Sequence, residues 1–346
     1  MLRSIPTGIQ ALLLAVLALL AAVAASASPA QPDVASDAVK DPRSLAAEYM
    51  ARRAGRPPVL VGAGDIALCD HGQGAYAEAT AKLLEAEPDA LVFTTGDNTY
   101  QDGTWEQFAN CYARSWGRQG IKARTLPAPG NHDYGSSRKP HEASAYFRYF
   151  GAAAANADTA GKGYYSLDLG SWHIVSLNSD IEMRLARDGA LSPEARTALA
   201  AEVARQRAWL AADLAAARRR ETKCILGIWH HPRYTNALRG DNDTMAGLWK
   251  LMSAAGADLL ITGHEHIYEN FAPRNAGGVP DPEGMREFVV GTGGAGGGYA
   301  FAAGAFHFGV LKLRLEPAGY AWEFLPVAGD NMRDQGSANC NRKRGA

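Results

Sequence analysis

The sequence is short of several features that would each point to a function. Its four cysteines, Cys69, Cys111, Cys224 and Cys340, form no CxxC pair, which argues against a zinc-thiolate site. Charge of one sign is lacking too: 35 Lys and Arg stand against 36 Asp and Glu, a formal net charge of -1. No global field draws the chain to nucleic acid or to an anionic membrane, so recognition must be local. The glycine run GTGGAGGG at 291 to 298 has no following Lys-Ser/Thr and no clear helix, which excludes a phosphate-binding loop of the nucleotidase kind. No internal repeat and no second composition appears. The apolar stretch near Ala11 to Val23 is shorter than the roughly 20 residues that a bilayer span needs.

That stretch does have a reading. An Arg, an apolar segment and the small-residue site Ala25-Ser26-Ala27 make residues 1–27 an expected secretory signal cut after Ala27; the alternative is an uncleaved anchor. No Cys follows the segment, so a lipid anchor is not expected. The protein is expected in the periplasm or outside the cell, free of the membrane after cleavage. In that oxidising setting four cysteines allow two disulfides in three connectivities. Cys69 with Cys111 and Cys224 with Cys340 is the expected pairing, against four free buried thiols. Residues 28–56, rich in Ala, Ser, Pro and Asp, read as linker with a short helix near Ser44 to Arg53. One domain over 57–328 and a polar tail over 329–346, ending NRKRGA, complete the division.

With 47% hydrophobic residues the chain can bury a sizeable core. Apolar runs at 59–64, 90–95, 124–130, 224–229, 258–262 and 287–292 alternate with helical patterns around 74–86, 104–117, 193–219 and 243–255. Such alternation predicts an α/β fold with buried strands. The segments GYYSLDLGSWHIVSLNS and FGVLKLRLEPAGYAWEFLPV each read as two strands around a Gly turn.

The residues just past the apolar runs are chemically uniform. Gly64-Asp65-Ile66-Ala67, Gly96-Asp97-Asn98-Thr99-Tyr100, Gly130-Asn131-His132-Asp133, Trp229-His230-His231-Pro232 and Gly263-His264-Glu265-His266 each place Asp, Asn, His or Tyr just past a strand. Taken singly, each reads as a turn or a helix cap. Taken together, they fit an α/β sheet whose parallel strands open at their carboxyl ends onto one crevice. Carboxylate, amide oxygen, imidazole and phenolate suit Fe, Zn or Mn rather than thiophilic ions.

In order, the five islands resemble the blocks of the calcineurin-like metallophosphoesterases: GDxA, GDxxY, GNHD, HxP and GHxH. The resemblance implies a four-layer αββα sandwich, two mixed β-sheets flanked by helices, with two metal ions at one edge. It would give the first ion Asp65, Asp97, Tyr100 and His266, and the second Asp97, Asn131, His230 and His264, with Asp97 shared. His132 would touch the phosphate or protonate the leaving group. Many members have a His two residues after the first Asp, where this chain has Ala67. Members resembling purple acid phosphatases use instead a Tyr three residues after the second Asp, the place of Tyr100. A phenolate favours a trivalent ion, so Fe(III) is expected at the first site and Fe(II), Zn or Mn at the second; the alternative is a Tyr100 that merely packs nearby. The first block reads GDIA where the purple enzymes usually have GDxG, which leaves the subgroup less fixed than the family.

His231 fills the x of HxP and either faces substrate or caps the loop. Arg233 is a weak candidate for substrate oxygens, the glycine run and Tyr299 a wall beside the metals, and His307 structural. The resemblance thus implies an exported hydrolase of small phosphate monoesters, acting through a metal-bound hydroxide. A phosphodiesterase on the same site, or a non-catalytic metal- or phosphocompound-binding protein, are the alternatives.

Overall fold

The computed structural model describes residues 39–69, 74–135, 142–187, 191–220, 222–296 and 307–341. The expected signal segment, the start of the linker, the end of the glycine run with Tyr299, and the last basic residues lie outside the described residues. The first strands in chain order are β1 Val59–Ala63, β2 Ala67–Leu68, β3 Leu91–Thr94, β4 Thr99–Tyr100, β5 Thr125–Leu126, β6 Tyr165–Leu169 and β7 Trp172–Ser176. They are followed by β8 Cys224–Ile228, β9 Leu259–Thr262, β10 Tyr268–Asn270, β11 Arg286–Val290, β12 Gly309–Glu316, β13 Gly319–Pro326 and β14 Gln335–Asn339.

Two six-stranded sheets result, in the orders β14-β13-β12-β1-β3-β5 and β10-β11-β9-β8-β7-β6. In the first, β1, β3 and β5 run parallel and β12 to β14 antiparallel. In the second, β7, β8, β9 and β11 run parallel, with β6 and β10 antiparallel at the edges. Both sheets are therefore mixed. The parallel strands are almost wholly buried, as continuous apolar runs require.

Aromatic rings join the sheets face to face: Trp172 with Tyr320, Phe288 with Trp322 and Tyr268 with Phe324. Helices close the outer faces. Leu210 and Leu214 of helix Pro193–Arg219, with Leu248 and Met252 of helix Ala246–Ala254, pack on Val175, Ile225 and Leu260 of the second sheet. Each such side chain contributes roughly 1.5–3 kcal/mol by leaving water. Helix Pro193–Arg219 starts where Ser192 accepts the Ala195 amide at 3.2 Å and Pro193 occupies the first turn. Helix Gly74–Glu85 lies against β12 on the first sheet. Helices, two sheets and helices give the four layers expected.

Two boundaries differ from expectation. The helix expected near Ser44 to Arg53 is present as Pro42–Arg53, starting at an Asp41 cap, but Leu45, Ala46 and Tyr49 are buried, so the segment belongs to the packed domain and is not linker. The segment read as a polar tail supplies β14, paired along β13 from Gln335 to Asn339. The disulfides are Cys69–Cys111 and Cys224–Cys340, as expected, and the second fastens the end of β14 to β8. No helix among the described residues is long and apolar enough to cross a membrane.

One charge cluster around a buried histidine links β6, β7 and helix Pro193–Arg219. The His173 ring, 1% exposed, sits between Asp168 at 2.7 Å and Asp213 at 2.8 Å, while Ser166 donates to Asp213 at 3.0 Å and Arg220 lies 3.4 Å from both His173 and Asp168. Burial opposes the imidazolium, but the hydrogen bonds to Asp168 and Asp213 outweigh it and raise the ring above its ordinary value. The stabilisation is then full below about pH 6.5, the unfolded value, and fades as pH rises through the higher folded value. We predict that His173→Gln destabilises the protein by about 1.5–3 kcal/mol near pH 5.5 and by less near pH 9, measured by chemical denaturation. An equal loss at both pH values would show that the charge is not what stabilises.

Candidate metal centre

The parallel strands of the two sheets end at one edge, and the polar islands lie just past those ends. Asp65 comes after β1, Asp97 after β3, Asn131 and His132 after β5, His230 and His231 after β8, and His264 to His266 after β9. The two sheets are tied together there by main-chain bonds: the Gly64 amide to the Val290 oxygen and the Gly293 amide to the Gly64 oxygen, both at 2.8 Å. Asp65, Asp97 and His264 all adopt left-handed backbone, with φ of 57°, 49° and 70°. For residues with a Cβ this is a strained choice that the surroundings must enforce. The Asp65 amide bonds the Gly96 oxygen, the His264 amide bonds Asp65 Oδ2 at 2.8 Å and the His132 amide bonds Asp97 Oδ1 at 2.7 Å. Gly130 makes the crowding possible, since a Cβ there would stand 2.3 Å from both the amide nitrogen and Oδ1 of Asp97.

The seven expected ligands converge. Tyr100 donates its hydroxyl to Asp65 Oδ1 at 2.6 Å and to Asp97 Oδ2 at 2.9 Å, and lies 3.1 Å from His266 Nε2. His266 Nε2 is 3.3 Å from Asp65 Oδ1. On the other side, His230 Nε2 lies 3.3 Å from Asp97 Oδ2, 3.1 Å from Asn131 Oδ1 and 3.2 Å from His264 Nδ1. Asp97 Oδ2 thus belongs to both groups of donors. Asp65 and Asp97 are 0% and 1% exposed.

Two buried carboxylates so close need positive charge. Burial disfavours charge on His230, yet Asp97 and then Asp65 raise its pKa to about 9. His264, half-buried, is pushed down to about 3 by desolvation and then by the neighbouring His230. Burial holds the Tyr100 phenol well above its ordinary value, and Asp65 and Asp97 reinforce the effect. Hard and borderline donors around an excess of negative charge fit divalent or trivalent cations. His230 is also oriented for such use: Nδ1 donates to the Thr95 oxygen at 2.8 Å, which turns the Nε2 lone pair inward.

His132 is partly exposed, its ring tilted by 42° against Tyr100 at a centroid distance of 4.3 Å, with Nδ1 2.6 Å from the Gln101 oxygen. That contact leaves Nε2 as the ring atom for proton exchange. His231 is fully buried: Ser179 Oγ lies 2.9 Å from Nδ1 and accepts the His231 amide at 3.1 Å, while Nε2 has no partner. Its visible contact is the loop-fixing one, and a substrate contact would require Nε2. Arg233 pairs with Asp243 at 3.0 Å and its side chain is 14% exposed. His307 binds Asp330 at 2.9 Å. The glycine run crosses close beneath Asp65, where a Cβ on Gly291 would stand 2.0 Å from the Glu265 oxygen and the Ala295 amide bonds the Asp65 oxygen at 2.7 Å.

Several neighbours escaped the sequence reading. Asp133, raised to about 7 by burial and then by Asp97, accepts the Gly130 amide and the Asn98 side chain, each at 2.9 Å, and shapes the Asn131 turn. Arg239 places Nη1 2.7 Å from His264 Nε2. Thr95 acts through its carbonyl, which no residue type announces; Asp133 adjoins Asn131 and His132, a signal that was available.

The family model for calcineurin-like phosphoesterases matches residues 58–268. The chain belongs to that family. This calcineurin-like phosphoesterase is 25% identical over 239 residues to purple acid phosphatase 18 of Arabidopsis thaliana, covering 65% of this chain and 48% of the relative. It is 26% identical over 240 residues to purple acid phosphatase 22 of the same plant, covering 67% and 50%. It spans about half the length of these curated relatives. Among solved structures, the purple acid phosphatase PPD1 from yellow lupin (Lupinus luteus) superposes with a TM-score of 0.60 at 18% identity, covering 83% of this chain and 54% of that one. The fold is shared.

Because Gly130 has no room for a side chain beside Asp97, Gly130→Ala should lower metal affinity by about 10- to 100-fold while the protein stays folded. Equilibrium dialysis with zinc measures it; wild-type affinity in a folded variant would refute the packing argument.

Proposed function

We propose that this calcineurin-like phosphoesterase is an exported phosphomonoesterase with two metal ions, resembling purple acid phosphatases. The observation that carries the reading is the position of Asp97 Oδ2, within 2.9 Å of the Tyr100 hydroxyl and 3.3 Å of His230 Nε2, a carboxylate shared by two sets of donors. Asp65, Asp97, Tyr100 and His266 would hold one ion, and Asp97, Asn131, His230 and His264 the other. A cation pair in such a place neutralises phosphoryl oxygens and makes water nucleophilic near neutral pH.

The chain's own residues then have distinct tasks. Tyr100 keeps its proton without a cation, held by two carboxylates, so only a strongly charged ion makes it a phenolate ligand; this favours Fe(III) at the first site, with Fe(II), Zn or Mn at the second. Thr95 and Asp133 keep His230 and Asn131 oriented, which limits reorganisation when substrate binds. His132, braced by the Gln101 carbonyl, delivers a proton to the leaving oxygen through Nε2. The expected signal segment and the two disulfides support an oxidising, extracytoplasmic setting.

Asp97→Ala is expected to lose both metal and turnover. His132→Ala is expected to keep its metal and lose about 10²- to 10⁴-fold in kcat on nitrophenyl phosphate; full activity in that variant would remove His132 from the reaction. Assay of bis-nitrophenyl phosphate beside the monoester decides between ester classes, and preference for the diester would overturn the monoesterase reading. Iron-loaded wild type should show a visible tyrosinate charge-transfer band that Tyr100→Phe abolishes. Active, iron-free, colourless protein would contradict the iron assignment.

A further inference from the structure

The segment after β8, Pro232 to Asn242, forms an arm over the edge of the metal centre. Side chains from the second sheet hold it at several points. Glu287 of β11 accepts the Arg233 and Tyr234 amides at 2.8 and 3.0 Å. Glu269 of β10 accepts the Thr235 hydroxyl at 2.8 Å and the Asn236 amide and side chain at 2.9 and 2.7 Å. Asp241 accepts the Thr235 amide at 3.3 Å, and the Asn242 amide closes the arm on the Arg233 oxygen at 2.9 Å.

The base of the arm is fixed in this way, and its tip is offered to solvent. Leu238 is 75% exposed. The Arg239 side chain beside it is 58% exposed, with Nη1 2.7 Å from His264 Nε2 and 4.0 Å from Glu265 Oε1. The His264 ring separates two surroundings: Nδ1 faces His230 Nε2 at 3.2 Å, within the donor cluster, while Nε2 faces the guanidinium. Arg239 therefore stands outside the ring of donors, one imidazole away from it. A phosphoryl group held by the cluster would occupy the inner side of that ring. What reaches the guanidinium is a group further along the substrate.

Arg239 has one N–H group facing His264 Nε2 and others free to meet a planar oxyanion, which its fork geometry suits. We propose that the arm is a subsite in which Arg239 binds a second, non-transferred oxyanion of the substrate, so that the favoured substrates carry another phosphate or a carboxylate close to the reacting phosphorus. The proposal deepens the phosphomonoesterase reading and rests on it.

The test uses the metal-loaded full chain and two ligands that are not hydrolysed, orthophosphate and methylenebisphosphonate, titrated by calorimetry into wild type, Arg239→Gln and Arg239→Lys. Wild type should prefer the bisphosphonate. In Arg239→Gln that preference should fall by about tenfold or more, the loss expected for a charge-assisted hydrogen bond, and Arg239→Lys should recover part of it. An unchanged preference overturns the subsite, as does an equal weakening of both ligands, which would put Arg239 on the reacting phosphate or on metal retention through His264. Metal content of each variant and wild-type turnover of nitrophenyl phosphate are measured in parallel. Turnover with an unchanged preference defeats the subsite alone, whereas wild type without turnover defeats the phosphoesterase reading and the substrate subsite with it.

Discussion

The rest of the structure is arranged around two carboxylates, Asp65 and Asp97, buried within reach of one phenol and surrounded by imidazoles. Burying a charge without a partner is expensive, and burying two of the same sign together is worse. The protein does not relieve this by keeping them neutral: both stay below the ordinary carboxylate range despite burial, because His266 opposes it at Asp65 and His230 at Asp97. A proton on His230 serves as counter-charge when no cation is bound. The same lone pair is what a cation would use, so the charge balance of the metal-free cluster and the affinity of the loaded one have a single origin.

That charge arrangement requires loops that cannot relax. Asp65, Asp97 and His264 hold left-handed backbone, a conformation that carries on the order of 1–3 kcal/mol of strain each. It persists because every turn is fixed more than once, as where Asp97 Oδ1 accepts the His132 amide while Asp97's own carbonyl receives the Ile66 amide. The side chains at the centre thus also serve as main-chain acceptors. Replacing one removes a donor from the cluster and releases a loop together, so each is poorly separable from the fold around it.

How much of this is legible in the chain depends on where each contact's chemistry resides. The parallel strands, both hairpins and the islands at their ends could be read because burial writes apolar runs and because the donors are side chains of unusual type. The Cys224–Cys340 pairing was expected, yet β14 was not. Its sequence, Gln335 to Asn339, has little strand propensity and owes its form to main-chain pairing with β13 and to the disulfide just past its end. Helix Ser144–Phe150 was passed over for a different reason: its buried face of Ala145, Tyr146, Tyr149 and Phe150 has helical spacing, but with 7 residues it runs for less than the window over which such a period stands out. Thr95 is hidden because only its carbonyl acts. Arg239 is hidden because an exposed Arg in a polar loop is ordinary until His264 is found beside it.

Loops from both sheets must also stay in register at an edge where the ladders have ended. Carboxylates accepting backbone amides supply much of what holds them. Asp133 holds the Asn131 turn to Asn98, Glu287 holds the segment after His231 to β11, and Glu269 holds the start of the arm to β10. Burial raises Asp133 to about 7 and Glu287 to about 8, so neither is fully charged near neutral pH, and what they supply is hydrogen bonds to short, irregular backbone where regular structure cannot continue. Glu287 also receives the Thr262 hydroxyl at 3.3 Å, and Thr262 precedes Gly263 and His264. One buried side chain on β11 thereby couples the loops that carry His230 and His264, two imidazoles of the donor cluster that face each other at 3.2 Å. The preorganisation of the centre comes as much from these acceptors behind it as from the donors within it.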